Sequence, residues 1–166
     1  MGVVVEQQVA LPHPALPDAD WADSYGVRLD GSDLDPMEVA RDLMGRAPKW
    51  VGALLKIRNL IVGFFGLKSA KLELTGQDTI GGFPVIAHDR EHVLLGFNDK
   101  HLDFRIIVAV EPEAVEHQHV SLTTLVQRHN LFGRIYILFV TPFHRLIVKS
   151  FLKRFAAATG VSRQSA

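Results

Sequence analysis

Apolar and polar residues alternate so regularly between His92 and His129 that three strands can be laid in one register. The spacing predicts strands over 92–97, 102–111 and 117–129, with a fourth over 84–88. With Asp99-Lys100 as a two-residue loop, Phe97 faces Leu102, Leu95 faces Phe104 and Val93 faces Ile106. With 112–116 as a longer loop, Val110 faces Gln118, Val108 faces Val120, Ile106 faces Leu122 and Leu102 faces Val126. One face then collects Val93, Leu95, Phe97, Leu102, Phe104, Ile106, Val108, Val110, Val120, Leu122 and Val126, with Gln118 and Thr124 as its polar members. The other collects His92, Asn98, His101, Asp103, Arg105, His119, Ser121, Thr123, Gln127 and His129, with Leu94, Ile107 and Leu125 among them. Only an antiparallel sheet buried on one side needs such sorting, because the side-chain period of a strand is two.

An apolar sheet face needs a cover, and 131–158 offers one. Phe132, Ile135, Tyr136, Phe139, Phe143, Leu146, Ile147, Phe151 and Phe155 trace a helical stripe, beside a basic stripe of Arg145, Lys149 and Lys153. Pro142 is expected to kink or split this helix. Upstream, Asp35-Pro36-Met37-Glu38 is a helix start, with Asp35 as cap and Pro36 in the first turn, and the helix should reach Gly45. A second helix is expected from Pro48 to Gly66 on the spacing of Val51, Leu54, Leu55, Ile61, Val62 and Phe65. Residues 71–75 alternate and suggest a strand; Gly81-Gly82 is loop; 24–29 reads as a first short strand ended by Asp30-Gly31. Pro12, Pro14 and Pro17 make 1–20 an irregular arm, 21–158 the single domain and 159–166 a frayed tail. The fold class is α+β: one antiparallel curved sheet, two helices after the first strand and a long kinked C-terminal helix.

The chain has 166 residues, enough for one domain. Lys plus Arg and Asp plus Glu are 18 each, so net charge argues for neither nucleic acid nor anionic lipid as the main partner. The absence of Cys excludes disulfides and thiolate metal or nucleophile chemistry. The most apolar stretch, 135–152, contains Pro142, His144, Arg145 and Lys149, so no integral membrane segment is expected. The expectation is a soluble cytoplasmic protein with no cofactor.

Several short motifs occur in order: Ala47-Pro48-Lys49-Trp50, Arg58-Asn59-Leu60, Gly66-Leu67-Lys68, Phe83-Pro84, His101-Leu102-Asp103-Phe104-Arg105, Leu122-Thr123-Thr124, His129-Asn130, Gly133-Arg134-Ile135-Tyr136 and Pro142-Phe143-His144-Arg145. Together they resemble the bacterial domain-of-unknown-function family 2867, over about residues 20–153. The element order is similar to the helix-grip fold of the START and Bet v 1-like superfamily. That resemblance implies a sheet wrapped around a C-terminal helix with an apolar cavity between them. It implies no settled activity, and no G-x-G-x-x-G follows a strand here.

Two site readings follow. The first is a pocket for an apolar or lipid-like small molecule, lined by Phe97, Phe104, Ile106, Val126, Tyr136, Phe139 and Phe143, against a filled core of the same residues. The second is an enzyme of the cyclase or dehydratase sort using His101 and Asp103, with Arg105 and His129 as further candidates, because acid–base work needs an imidazole oriented by a carboxylate. A solvated outer face is the plainer reading of that set, which shares the face opposite the inferred cavity. Asn130 reads as the cap of the last helix, and His144 and Arg145 as structural or surface groups. His117-x-His119 lacks a third ligand, so no metal is expected. A basic helix face is read as solvated rather than membrane-bound, and a module that binds a protein partner through the sheet edge or the arm is the remaining alternative.

Overall fold

The computed structural model describes residues 2–31, 33–45 and 78–164. Its seven strands are β1 (Val4–Gln7), β2 (Trp21–Asp30), β3 (Thr79–Ile80), β4 (Phe83–His88), β5 (His92–Asn98), β6 (Leu102–Ala114) and β7 (His117–Arg128). Two helices are described, α1 (Pro36–Gly45) and α2 (Leu131–Gln164). The strands form one antiparallel sheet in the order β1-β2-β7-β6-β5-β4-β3. The expected helix over 48–66 and strand over 71–75 lie outside the described residues.

The meander stands, but both its registers slip by two residues. Phe97 faces Phe104 instead of Leu102, and Val110 faces Val120 instead of Gln118. The β5–β6 turn is longer than two residues because carboxylates fold it. The Asp99 amide donates to Asp103 Oδ1 at 3.1 Å and to the Leu102 carbonyl at 3.0 Å, and the Lys100 amide donates to Asp99 Oδ1. At the other end, β6 continues through Pro112 to Ala114, where the ladder is irregular and a missing N–H is tolerated. A slip of two preserves the sorting into faces, since the period is also two.

The inner face is the core. Val93, Leu95, Ile106, Val108, Val110, Val120 and Leu122 join Tyr25, Val27 and Leu29 of β2, all buried. Val39, Ala40 and Leu43 of α1 cover part of it, and Val148, Phe151, Leu152, Phe155 and Ala156 of α2 cover the rest. Asp35 caps α1 as expected, accepting the Glu38 amide at 2.9 Å.

Five features differ from the sequence reading. Part of the segment read as an irregular arm is a strand, since β1 pairs with β2 from Val4↔Val27 to Gln7↔Ser24. β2 begins at Trp21 rather than Ser24, and Arg128 anchors its start by gripping the Asp20 carboxylate at 3.0–3.1 Å. Pro142 does not split α2: it sits on the exposed side, where a carbonyl without its N–H partner can reach water. The helix also runs on to Gln164, through most of the expected tail. Finally, α2 is rotated from the expected stripe. Ile137, Val148, Phe151, Leu152 and Phe155 turn inward, while Ile135, Phe139, Phe143 and Leu146 turn outward. The first four turns are apolar almost all round, so periodicity alone could not choose the buried side.

Candidate functional site

Two adjacent rows of side chains cross the inner face where α2 begins. Phe97, Phe104, Val126 and Trp21 form one row through successive strand pairs. Leu95, Ile106, Thr124 and Asp23 form the next. The first is aromatic-rich: Phe97 and Phe104 meet edge to face at 4.3 Å between ring centroids, and Phe83 and Phe104 at 5.2 Å. The second ends in a buried carboxylate.

Asp23 is 5% exposed, on the same face as Tyr25, Val27 and Leu29. His144 comes down from α2 with Nε2 at 3.1 Å from Asp23 Oδ1, and its ring meets Trp21 at 5.8 Å in a T-shaped contact. Asp23 Oδ2, the Tyr25 hydroxyl and Thr124 Oγ1 are all buried with no hydrogen-bond partner among the described residues. An unpaired buried polar atom costs about 1–3 kcal/mol, so three in one region need an explanation.

A cleft of about 370 Å³ is lined by Trp21, Arg128, Ile137, Leu138, Thr141, Pro142 and Arg145, and connects to Asp23 only through Trp21 and His144. Trp21 is a wall of the cleft and the aromatic neighbour of His144. Burial first, then the carboxylates of Asp23 and Glu6, hold the Tyr25 phenol above its ordinary value of 10.0, while Arg145 opposes them. Lys149 lies over the Tyr25 ring, 5.0 Å from its centroid. At neutral pH Tyr25 is therefore a proton donor, and Asp23 holds an imidazole in place. Such a set can receive a hydroxyl or carbonyl group, or exchange a proton with it.

The raised Tyr25 value has a measurable consequence. The unfolded chain ionises its tyrosines near pH 10.0 while the folded Tyr25 stays protonated. Stability is thus intact below that pH and falls as pH rises through the higher folded value. The urea midpoint is expected to fall more steeply above pH 10.0 in the native chain than in Tyr25→Phe.

The other candidates are brought together elsewhere. His129 Nε2 lies 3.1 Å from Asp103 Oδ1, and Asn130 Nδ2 lies 2.9 Å from His101 Nδ1. His101 is in the β5–β6 turn, its carbonyl accepting the His129 amide at 3.0 Å, rather than in line with Asp103 on a strand. Gln127 lies opposite Asp103 and Leu125 opposite Arg105. Asn130 Oδ1 accepts the Gly133 amide at 3.0 Å and caps α2 as expected. Gly133 is required there, because a Cβ would overlap the His101 carbonyl oxygen. Arg105 donates to Asn98 Oδ1 and to the Phe104 carbonyl, both at 2.8 Å. These groups form the joint between the sheet and the start of α2. His119 bonds Gln7 and His117 pairs with Asp30.

Of the expected pocket residues, Phe97, Phe104, Val126 and Ile106 share the two rows, and Tyr136 is half-buried on α2. Phe139 (71% exposed) and Phe143 (51%) face away from the sheet. Sequence reasoning missed Asp23, although the signal was present: one step back along the alternation Leu29, Val27, Tyr25 puts it on the inner face.

A family model described as "Protein of unknown function (DUF2867)" matches residues 15–151. No curated protein and no solved structure matches the chain.

Proposed function

Since the chain belongs to the DUF2867 family, whose description assigns no activity, we propose from the site that it binds a largely apolar small molecule between the sheet and α2. The carrying observation is the trio of buried, unpartnered oxygens of Asp23, Tyr25 and Thr124 beside an aromatic row, joined through His144 and Trp21 to the wall of a cleft. A ligand with a hydroxyl or carbonyl head and an apolar body supplies what these atoms lack, and its burial is driven mainly by area. The order of sheet and helices supports reading the domain as a helix-grip fold, which holds its ligand in this place.

A second reading has its own observation. The Asp23–His144 contact at 3.1 Å, close to the Tyr25 phenol, is an acid–base set on the cavity side of the sheet. The cyclase or dehydratase alternative therefore moves from His101 and Asp103 to Asp23 and His144, and a bound ligand is the premise of both.

Native mass spectrometry of gently purified protein tests the proposal. The native chain is expected to carry an apolar ligand, and Thr141→Trp, which fills the cleft, to retain at least roughly tenfold less of it. Equal retention by the two chains, or a native chain that carries nothing and is stabilised by no hydroxylated or carboxylated apolar compound, would overturn it.

A further inference from the structure

The outward side of α2 is apolar over four turns. Leu131, Ile135, Leu138, Phe139, Phe143 and Leu146 recur at three- to four-residue spacing and are 45–72% exposed. The strip is roughly 22 Å long, larger than the scattered apolar residues of an ordinary surface. From Leu131 to Gln164 the sequence has six Arg or Lys residues and no Asp or Glu, within a chain balanced at 18 and 18. Arg134 and Arg145 edge the strip, and Lys153 and Arg154 continue it toward the C-terminus. All four are exposed and form no ion pair with a described residue.

We propose that this face docks on an anionic lipid surface, with the apolar strip in the headgroup–acyl boundary and the cations on lipid phosphates. Charge selects this occupant. A second copy meeting α2 through the same face would set cations against cations with no carboxylate from either helix. Residues 46–72 have six Lys and Arg and likewise no Asp or Glu, so they are no electrostatic complement. The helix lies on the bilayer rather than across it. Leu131–Thr159 is apolar and long enough to span, but Val148, Leu152 and Phe155 hold the core together and would be lost from it. The overall neutral charge of the chain conceals this polarisation.

Co-sedimentation of the full chain with vesicles tests the docking. Phosphatidylcholine vesicles containing about a third phosphatidylglycerol should bind it at least roughly tenfold more strongly than pure phosphatidylcholine, and high salt should weaken the binding. A Phe139→Glu/Leu146→Glu chain should lose binding with an unchanged circular dichroism spectrum, and Lys153→Glu/Arg154→Glu should lose only the preference for anionic lipid. Equal binding to both vesicles, binding to neither, or a stable dimer in solution that Phe139→Glu/Leu146→Glu dissociates would overturn the proposal. Leu138 and Arg145 belong to both the cleft lining and this face, but Phe139 and Leu146 lie outside the lining, so the Phe139→Glu/Leu146→Glu loss reads the docking face rather than the cleft.

Discussion

A Gly96→Val chain is expected to lose about 4 kcal/mol or more of stability, which for a domain of ordinary stability leaves little folded protein. Gly96 has φ +152°, and a Cβ there would overlap the Phe104 carbonyl oxygen and crowd Arg105 Cα. Both obstacles are backbone, which cannot swing aside as a flexible side chain can. Valine adds β-branching at a strand position that must meet β6 closely. Gly82→Asn is the contrast. Gly82 also has positive φ, +85°, in the β3–β4 turn, but nothing lies within 4 Å of its Cβ position. Asparagine tolerates that conformation, so the loss should be about 1 kcal/mol or less. Urea unfolding followed by circular dichroism measures both. A Gly96→Val midpoint near that of the native chain would mean that β5 and β6 are not so close.

The second large effect separates function from stability. Asp23→Asn is expected to lower ligand retention at least tenfold, the size of one lost charge-assisted hydrogen bond. It keeps the shape and an acceptor for His144, and removes a carboxylate that is 5% exposed. The unfolding midpoint should therefore stay level or rise by the equivalent of about 1–2 kcal/mol, as expected where a buried polar group serves binding. Asp23→Ala would differ, since it also opens a void and strands His144. Ligand retention by native mass spectrometry and urea unfolding read the two consequences separately. A fall of more than about 2 kcal/mol in Asp23→Asn would make the carboxylate a structural partner of His144 instead.

The legible parts of this protein are those set by short repeats. The alternation from Val93 to Val126 located three strands and their buried face despite a two-residue error in both registers. A loop can lengthen by two without moving a side chain across the sheet, so the face is robust where the pairing is not. The caps Asp35 and Asn130 were legible because a helix start makes a local chemical demand. The candidate site was legible only in part. Thr124 stood out as a polar residue on an apolar face, and Phe97, Phe104, Ile106 and Val126 fell into two neighbouring rows. Asp23 and His144 lie 121 residues apart, and no local pattern links them.

Strand period, helix caps and the presence of a greasy sheet face were thus written into the order of residue types, because each depends on neighbours a few positions away. Which side of α2 meets that face, the pairing of His144 with Asp23 and the use of His101 and Asp103 in a joint were decided by packing. A helix apolar around most of its circumference has several buriable sides, and only the shape of the sheet beneath it selects one.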